Sequence, residues 1–86
     1  MPTPSPTQTL LTALQLGQLL KAARKRRKLT QTAVAARLGL SQNRVSHLEL
    51  HPEELSFKQL LSWCAAVGLE LQVGERDDTT LPASEW

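Results

Sequence analysis

The sequence predicts a mainly α-helical domain of four to five helices, followed by a short C-terminal β-strand that is shared across a dimer. Three observations predict this fold class. Apolar residues recur at helical spacing, with Ser or Thr where helices should begin and Gly where they should end. Only 3% of the residues are aromatic, so the core should consist of Leu, Val and Ala. One later segment alternates apolar and polar residues, which is the period of a strand.

Composition excludes several classes of protein. A chain of 86 residues forms one small domain with a single modest core. There is no apolar run of about 20 residues, which a membrane span needs, and no secretory leader, so we expect a cytoplasmic bacterial protein associated with the nucleoid. The single cysteine, Cys64, excludes an internal disulfide. No paired carboxylates, phosphate-binding glycine loop or catalytic triad stands out, so neither enzymatic activity nor a cofactor is predicted.

Charge divides the chain into two unlike halves. Residues 1–48 hold eight Lys and Arg residues and no acid, whereas residues 49–86 hold two basic and eight acidic residues. A basic half is typical of a protein that binds a polyanion. The acidic half suggests a second, different partner.

The N-terminal third should comprise an extended arm and a first helix. Alternating prolines predict an extended arm over residues 1–11. The helix should begin with a capping box at Thr12 and Gln15, flanked by a staple of Leu11 and Leu16, and end near Arg27. Its end carries a run of basic residues, whose positive charges interact favourably with the helix dipole. The neighbouring motif favours phosphate contact for part of this run, namely Arg26, Arg27 and Lys28.

Two short helices joined by a tight turn organise the chain. Thr30 can cap the first helix, Gly39 suits the left-handed residue at its end, and Ser41 can cap the second. Val45 and Leu48 then form the buried stripe of the second helix. This is the helix-turn-helix arrangement, which places its second helix in the DNA major groove.

The exposed face of that second helix holds the candidate DNA contacts. Polar side chains near the start of a recognition helix reach base edges first. We expect base contacts from five of them: Gln42, Asn43, Arg44, Ser46 and His47. Three residues at helix N-termini should contact phosphates: Thr30, Gln31 and Ser41.

Two histidines near the end of this helix are possible metal ligands. His47 and His51 lie four residues apart, which places two possible ligands on one helix face. No third ligand accompanies them in the sequence, and Pro52 disturbs the end that carries His51. No metal site is therefore predicted.

A loop and a fourth helix should follow. Residues 51–55 should form the loop, and Ser56 should cap a helix from Phe57 to about Val67, which ends at Gly68. Its buried stripe is predicted as Phe57, Leu60, Leu61, Cys64 and Val67. Cys64 should be an inert core residue. Trp63 should lie on the flank of the stripe, either packing partly on the core or anchoring an interface.

The C-terminal part should supply dimerisation and a partner-binding tail. Leu69, Leu71 and Val73 alternate with polar residues, and a lone strand needs a partner, so two chains should share a two-stranded sheet. A short fifth helix is the alternative. Residues 12–74 are thus the DNA-binding and dimerisation domain. Residues 75–86 should be a flexible acidic tail, in which Leu81 and Trp86 could dock on another protein.

The sequence resembles the phage-repressor (Cro/XRE) family of helix-turn-helix proteins. The resemblance covers about residues 14–67 and rests on the pattern Leu16-Gly-x-x-Leu-x-x-x-Arg24, then Leu29-Thr-Gln-x-x-Val-Ala-x-x-Leu-Gly-Leu-Ser-Gln-x-x-Val-Ser-x-Leu-Glu49. It implies an ion pair between Arg24 and Glu49 and a role for Gln31 in fixing a phosphate contact. It also implies DNA contacts from Gln42, Asn43, Arg44 and His47. Lys28 stands where the family usually has Gly, and Ala33 replaces the usual Glu.

The strand and acidic tail are similar to those of HipB-type antitoxins. That resemblance implies a homodimer that binds an inverted-repeat operator in double-stranded DNA and holds a HipA-like Ser/Thr kinase toxin. The chain would then be a repressor that is also an antitoxin and regulates its own operon. The alternatives are a stand-alone helix-turn-helix regulator and an adaptor that binds only protein.

Overall fold

A computed structural model describes residues 8–75, in which the chain forms four α-helices and one short 3-10 helix. The helices are α1 (Ala13–Arg26), α2 (Gln31–Leu38), α3 (Gln42–Leu50) and α4 (Phe57–Val67), with the 3-10 helix Pro52–Glu54 between the last two. The mainly helical class is confirmed. Most of the predicted N-terminal arm and most of the acidic tail, with Leu81 and Trp86, lie outside the described residues.

The predicted caps set the ends of these helices. Thr12, Thr30, Ser41 and Ser56 each precede a helix, and each hydroxyl accepts a hydrogen bond from a backbone N–H of the first turn. Gly39 and Gly68 end α2 and α4 with positive φ angles of 69° and 77°. Glycine adopts this left-handed conformation without a steric cost.

The start of α1 differs in detail from the predicted capping box and staple. The Gln15 side chain accepts from the backbone N–H of Leu11, at 2.8 Å, and donates to the carbonyl of Thr9, at 2.7 Å. It therefore stabilises the chain before the helix and does not close the box on Thr12. Leu11 remains 67% exposed, so the staple with Leu16 does not bury it.

Lys28 lies in the turn between α1 and α2 and has a φ of 57°. It is the only residue other than Gly with a positive φ in the part of the chain that the structure describes. This is the left-handed conformation expected where Lys replaces the usual Gly. A side chain there costs on the order of 1 kcal/mol relative to Gly.

The core lies where α1, α2, α3 and α4 meet. Its fully buried side chains come from all four helices: Leu20, Val34, Val45, Leu48, Trp63 and Val67. Val45 and Leu48 are thus the inward stripe of α3, as predicted. Cys64 is also buried, and burial raises the pKa of its thiol.

The predicted buried stripe of α4 is wrong on one side. Phe57 and Leu61 are 67% and 44% exposed, whereas Trp63 is completely buried and is neither on the flank nor available as an exposed anchor. The sets 57, 60, 61, 64 and 60, 63, 64, 67 have the same helical spacing. The packing of α1 and α2 against α4 selects the second set.

A close approach joins α1 to the segment after α3. That segment, predicted as a loop, contains the 3-10 helix, and Pro52 at its first position is buried. Gly17 of α1 lies against it, because a Cβ atom at this position would overlap the carbonyl oxygen of Glu49 and lie 3.2 Å from Pro52. Only Gly allows the backbones to approach so closely.

Residues 69–75 follow α4 without regular secondary structure. Leu69 packs on the core, whereas Leu71 is 36% and Val73 94% exposed. The described chain contains no strand, and a strand shared across a dimer requires the second chain, so it stays a prediction. Within residues 8–75, no helix has both the length and the apolar character needed to cross a lipid bilayer.

Candidate nucleic-acid interface

Helix α3 separates its apolar and polar side chains onto two faces. Val45 and Leu48 point into the core, while Gln42, Asn43, Arg44 and His47 are exposed and Ser46 is half-buried. All five predicted base-contacting residues therefore lie on the accessible side of one short helix. This helix packs closely on α2, which gives the compact pair that a helix-turn-helix needs.

A buried ion pair joins α1 to α3 behind this exposed face. Arg24 and Glu49 are 8% and 7% exposed, and Arg24 Nε lies 2.7 Å from one Glu49 carboxylate oxygen. Arg24 Nη2 donates to the other carboxylate oxygen at 3.3 Å, so the contact is bidentate. Arg24 Nη1 donates to the carbonyl of Leu29 at 3.0 Å. The pair thus anchors α3 to both α1 and the α1–α2 turn.

Hydrogen bonds extend this pair to the start of α3. Gln31 Nε2 donates to Glu49 Oε1 at 3.0 Å, and Gln42 Nε2 donates to Gln31 Oε1 at 2.6 Å. We call Arg24, Glu49, Gln31 and Gln42 the buried network, since it begins at the buried pair. It connects three helices and ends on the first residue of α3.

The charge of Glu49 sets the direction of every hydrogen bond in the buried network. An ionised carboxylate only accepts, so Gln31 must turn its NH₂ group toward Glu49 and its carbonyl toward Gln42. Gln42 must then donate to Gln31. Its carbonyl oxygen and second N–H remain for another partner, as a bidentate contact with adenine requires.

A shallow open groove lies beside the buried network, between the α1–α2 turn and the start of α3. Seven residues line it: Arg24, Lys28, Leu29, Thr30, Gln31, Thr32 and Gln42. The Thr30 and Ser41 hydroxyls cap their helices and accept from Ala33 and Arg44. The other first-turn N–H groups, those of Gln31 and Thr32 in α2 and of Gln42 and Asn43 in α3, have no partners within their helices and favour an anion.

The basic run at the end of α1 divides into two structural roles. Arg26 at the end of α1 and Lys28 in the following turn are exposed, and Lys28 lines the groove. The Arg27 guanidinium instead lies against Gly68, where any side chain would overlap it. Arg37, to which the sequence assigned no role, donates to the carbonyl of Ala66 at 2.8 Å. Arg27 and Arg37 thus stabilise the C-terminal end of α4, where cations are favourable.

A second polar group lies at the other end of α3. His47 Nε2 lies 3.0 Å from Glu54 Oε1, and His51 Nδ1 lies 3.4 Å from Glu53 Oε2. We call His47, His51, Glu53 and Glu54 the exposed cluster, because each side chain is 43–56% exposed. The ring centroids of the two histidines are 4.7 Å apart.

Glu54 also faces Arg44, whose Nη1 lies 3.7 Å from the same carboxylate oxygen. The hydrogen bond from His47, and then the charges of His47 and Arg44, hold the pKa of Glu54 below its ordinary value of 4.5. Two predicted base-contacting residues are therefore paired with an acid in the free protein. Glu54 is not among the predicted site residues, because Pro52 interrupts the helical periodicity that would relate it to His47.

The remaining predicted site residues belong to dimerisation and to the tail. Leu69 is held by the core, while Leu71 and Val73 are exposed beyond the end of α4. Leu81 and Trp86 lie outside the described residues. The structure therefore brings the predicted DNA contacts together on one surface and leaves the dimer strand without a partner in the single chain.

Comparison with known proteins identifies the domain. A family model described as helix-turn-helix matches residues 20–73, which is more than half of the 86 residues. No curated protein sequence matches the chain. The chain belongs to this helix-turn-helix family, and its domain is that of a DNA-binding transcriptional regulator. The match extends past α4 to Val73 and so includes the predicted dimer segment.

Proposed function

We propose that this chain is a homodimeric, sequence-specific repressor that inserts α3 into the major groove of an inverted-repeat operator. The buried network carries the proposal. It holds Gln42, the first residue of α3, with a defined set of free donor and acceptor atoms. A polar face that only contacts water would not require Gln42 to be oriented by Gln31, which is itself held by the buried Arg24–Glu49 pair.

Base contacts are assigned to the exposed face of α3 and phosphate contacts to the groove beside it. Gln42 and Asn43 suit adenine, and Arg44 suits guanine or a phosphate. Gln31 and Lys28 line the groove and suit the phosphate backbone. Arg26, Thr30 and Ser41 complete this phosphate set. Arg27 has the smallest share, because its guanidinium already contacts Gly68.

Binding to duplex DNA tests this assignment. Asn43→Ala and His47→Ala should each weaken binding to the operator by about 1–3 kcal/mol and leave binding to unrelated DNA nearly unchanged. Gln18→Ala is the matched control, because Gln18 is an exposed amide on α1. Affinity should fall steeply with salt as counterions are released. Equal loss on operator and unrelated DNA would contradict base contact by Asn43 and His47.

The proposed homodimer uses residues 69–73 of each chain as a two-stranded sheet. Leu71 and Val73 are exposed apolar residues that a partner strand would cover. The two α3 helices should then lie about 34 Å apart, one turn of DNA. Sedimentation should show that Val73→Pro produces monomers, because Pro removes a strand hydrogen bond. Glu75→Pro, beyond the strand, should remain dimeric, and a dimeric Val73→Pro would contradict the shared strand.

We further propose that the repressor is the antitoxin of a HipA-like Ser/Thr kinase toxin and represses its own operon. The support is the resemblance of the alternating segment and acidic tail to HipB-type antitoxins, together with the acidic balance of residues 49–86. Native co-purification followed by mass spectrometry should recover a kinase. DNA binding without a kinase would instead favour a stand-alone regulator, and a protein partner without salt-sensitive DNA binding would favour an adaptor. Deleting residues 76–86 should weaken the kinase complex.

A further inference from the structure

We propose that the exposed cluster at the C-terminal end of α3 is a zinc-binding site. Potential ligand atoms of His51, Glu53 and Glu54 all lie within 4.8 Å of one another. His47 joins them through its 3.0 Å contact with Glu54. The sequence pattern offered two histidines without a third ligand, and the 3-10 helix supplies the two carboxylates.

The spacing of these ligand atoms suits a tetrahedral ion. Zinc holds nitrogen and oxygen ligands at about 2.0–2.1 Å, so two ligands at the tetrahedral angle lie about 3.3 Å apart. His47 Nε2 and Glu54 Oε1 are 3.0 Å apart, and His51 Nδ1 and Glu53 Oε2 are 3.4 Å apart. Both pairs thus stand close to this separation already. Binding of one ion by all four ligands requires these exposed side chains to rotate until the two pairs meet.

The backbone that carries the four ligands is well ordered by hydrogen bonds. The His51 N–H donates to the carbonyl of His47 at 2.9 Å, which keeps the two histidines one helical turn apart. The Glu54 N–H donates to the carbonyl of His51 at 3.0 Å and closes the 3-10 turn. Buried Pro52 fixes that turn against Gly17. The ligands therefore rotate on a fixed frame, which limits the entropy lost on binding.

The donor set favours zinc over the common hard cations. Two imidazole nitrogens and two carboxylates suit a borderline ion, whereas Mg²⁺ and Ca²⁺ prefer oxygen ligands alone. The positive charge of Arg44, 3.7 Å from Glu54, weakens the binding of a cation. Water also competes for the ligands, because their side chains are about half exposed. Glu49 does not contribute, although it lies between the histidines in sequence, because it is paired with Arg24 in the core. Binding should therefore be reversible rather than a condition of folding.

Zinc would regulate DNA binding through His47, a consequence that rests on the proposed function. His47 is a zinc ligand here and a base-contacting residue in the repressor. Its imidazole cannot serve both at once, so zinc and operator should each weaken binding of the other by the same factor. The exposed cluster would make repression sensitive to free zinc.

Calorimetric titration of the untagged full-length chain with Zn²⁺, without DNA, tests the site itself. One ion should bind per chain, and His51→Ala and Glu54→Gln should each weaken binding by at least about tenfold. Glu70→Gln is the control, because it removes an exposed carboxylate outside the cluster. Circular dichroism should show that all three variants stay folded. Failure of the wild type to bind, or equal binding by His51→Ala, would overturn the site.

Operator binding with and without Zn²⁺ tests the regulatory consequence. Zinc should weaken operator binding by the wild type and have at least about tenfold less effect on His51→Ala. That variant lacks a zinc ligand but keeps every residue assigned to DNA. Equal sensitivity of the two proteins would overturn the coupling. A wild type that binds zinc but no DNA would contradict the proposed function and leave the zinc site standing.

Discussion

Two groups of polar side chains on α3 have similar chemistry in opposite surroundings: the buried network, which extends to the start of the helix, and the exposed cluster at its C-terminal end. At its first residue, Gln42 is held by the buried network, whose ion pair is less than 10% exposed. At its other end, the exposed cluster pairs His47 with Glu54 at a similar distance, but in contact with water. Burial makes a charge costly to leave unpaired, while solvent lets partners exchange at little cost. The buried network therefore fixes Gln42 at the start of α3 for recognition, and the exposed cluster remains free to change partners.

The largest effect should come from breaking the buried ion pair. Glu49→Ala leaves Arg24 buried without its partner, so the free energy of unfolding should fall by about 3–5 kcal/mol. Glu53→Ala in the exposed cluster should change it by no more than about 0.5 kcal/mol. Urea denaturation followed by circular dichroism measures both. Similar losses in the two variants would show that burial does not distinguish the buried network from the exposed cluster.

Removing the middle of the buried network should cost less. Gln31→Ala deletes a hydrogen bond to a charged carboxylate, so unfolding should become easier by about 1.5–3 kcal/mol. Gln42 also loses its acceptor, so operator affinity should decrease and the Gln42 side-chain amide signals should become those of a mobile group in NMR spectra. Gln18→Ala, on the exposed side of α1, serves as the control. Unchanged Gln42 signals would mean that Gln31 does not orient it.

A substitution in the turn beside the buried network should change the free energy of unfolding by less, and it should stabilise the protein. Lys28→Gly removes the steric cost of a side chain in the left-handed conformation. Gly also increases the conformational entropy of the unfolded chain, which offsets part of this gain, so the protein should become more stable by up to about 1 kcal/mol. The same change inside α1, Lys25→Gly, should destabilise it by about 1 kcal/mol. Thermal melting of the two variants measures the difference. A melting temperature lowered equally by both would contradict strain at Lys28.

The smallest effect on stability should come from the exposed cluster, where pH is the more sensitive probe. The pKa of Glu54 lies below 4.5, so its pairing is complete above that pH and is lost as the pH falls through the lowered pKa. A carboxyl NMR titration of His47→Ala should show the Glu54 pKa rising toward its ordinary value. Arg44→Gln should raise it less, because the His47 hydrogen bond is the larger cause. The reverse order would assign the pairing to Arg44.

Local signals in the sequence located the elements. Ser and Thr hydroxyls cap helices within one turn, and Gly at positive φ ends them, so these choices depend only on near neighbours. The α3 stripe of Val45 and Leu48 was equally evident, because no competing apolar set exists on that helix. The contact between Arg24 and Glu49 was expected from a family resemblance, since nothing local relates residues 25 positions apart.

The sequence by itself thus determined the four α-helices, the turns between the first three of them and the polar face of α3. Only the tertiary structure decided which of two equally spaced stripes of α4 is buried, because the neighbouring helices cover Trp63 and leave Phe57 exposed. It also decided the partners of charged and polar side chains: Arg27 at Gly68, Gln31 between Glu49 and Gln42, and Glu54 beside His47. Capping and periodicity act over a few residues. The choice of partner depends on which distant segments the folded chain brings into contact.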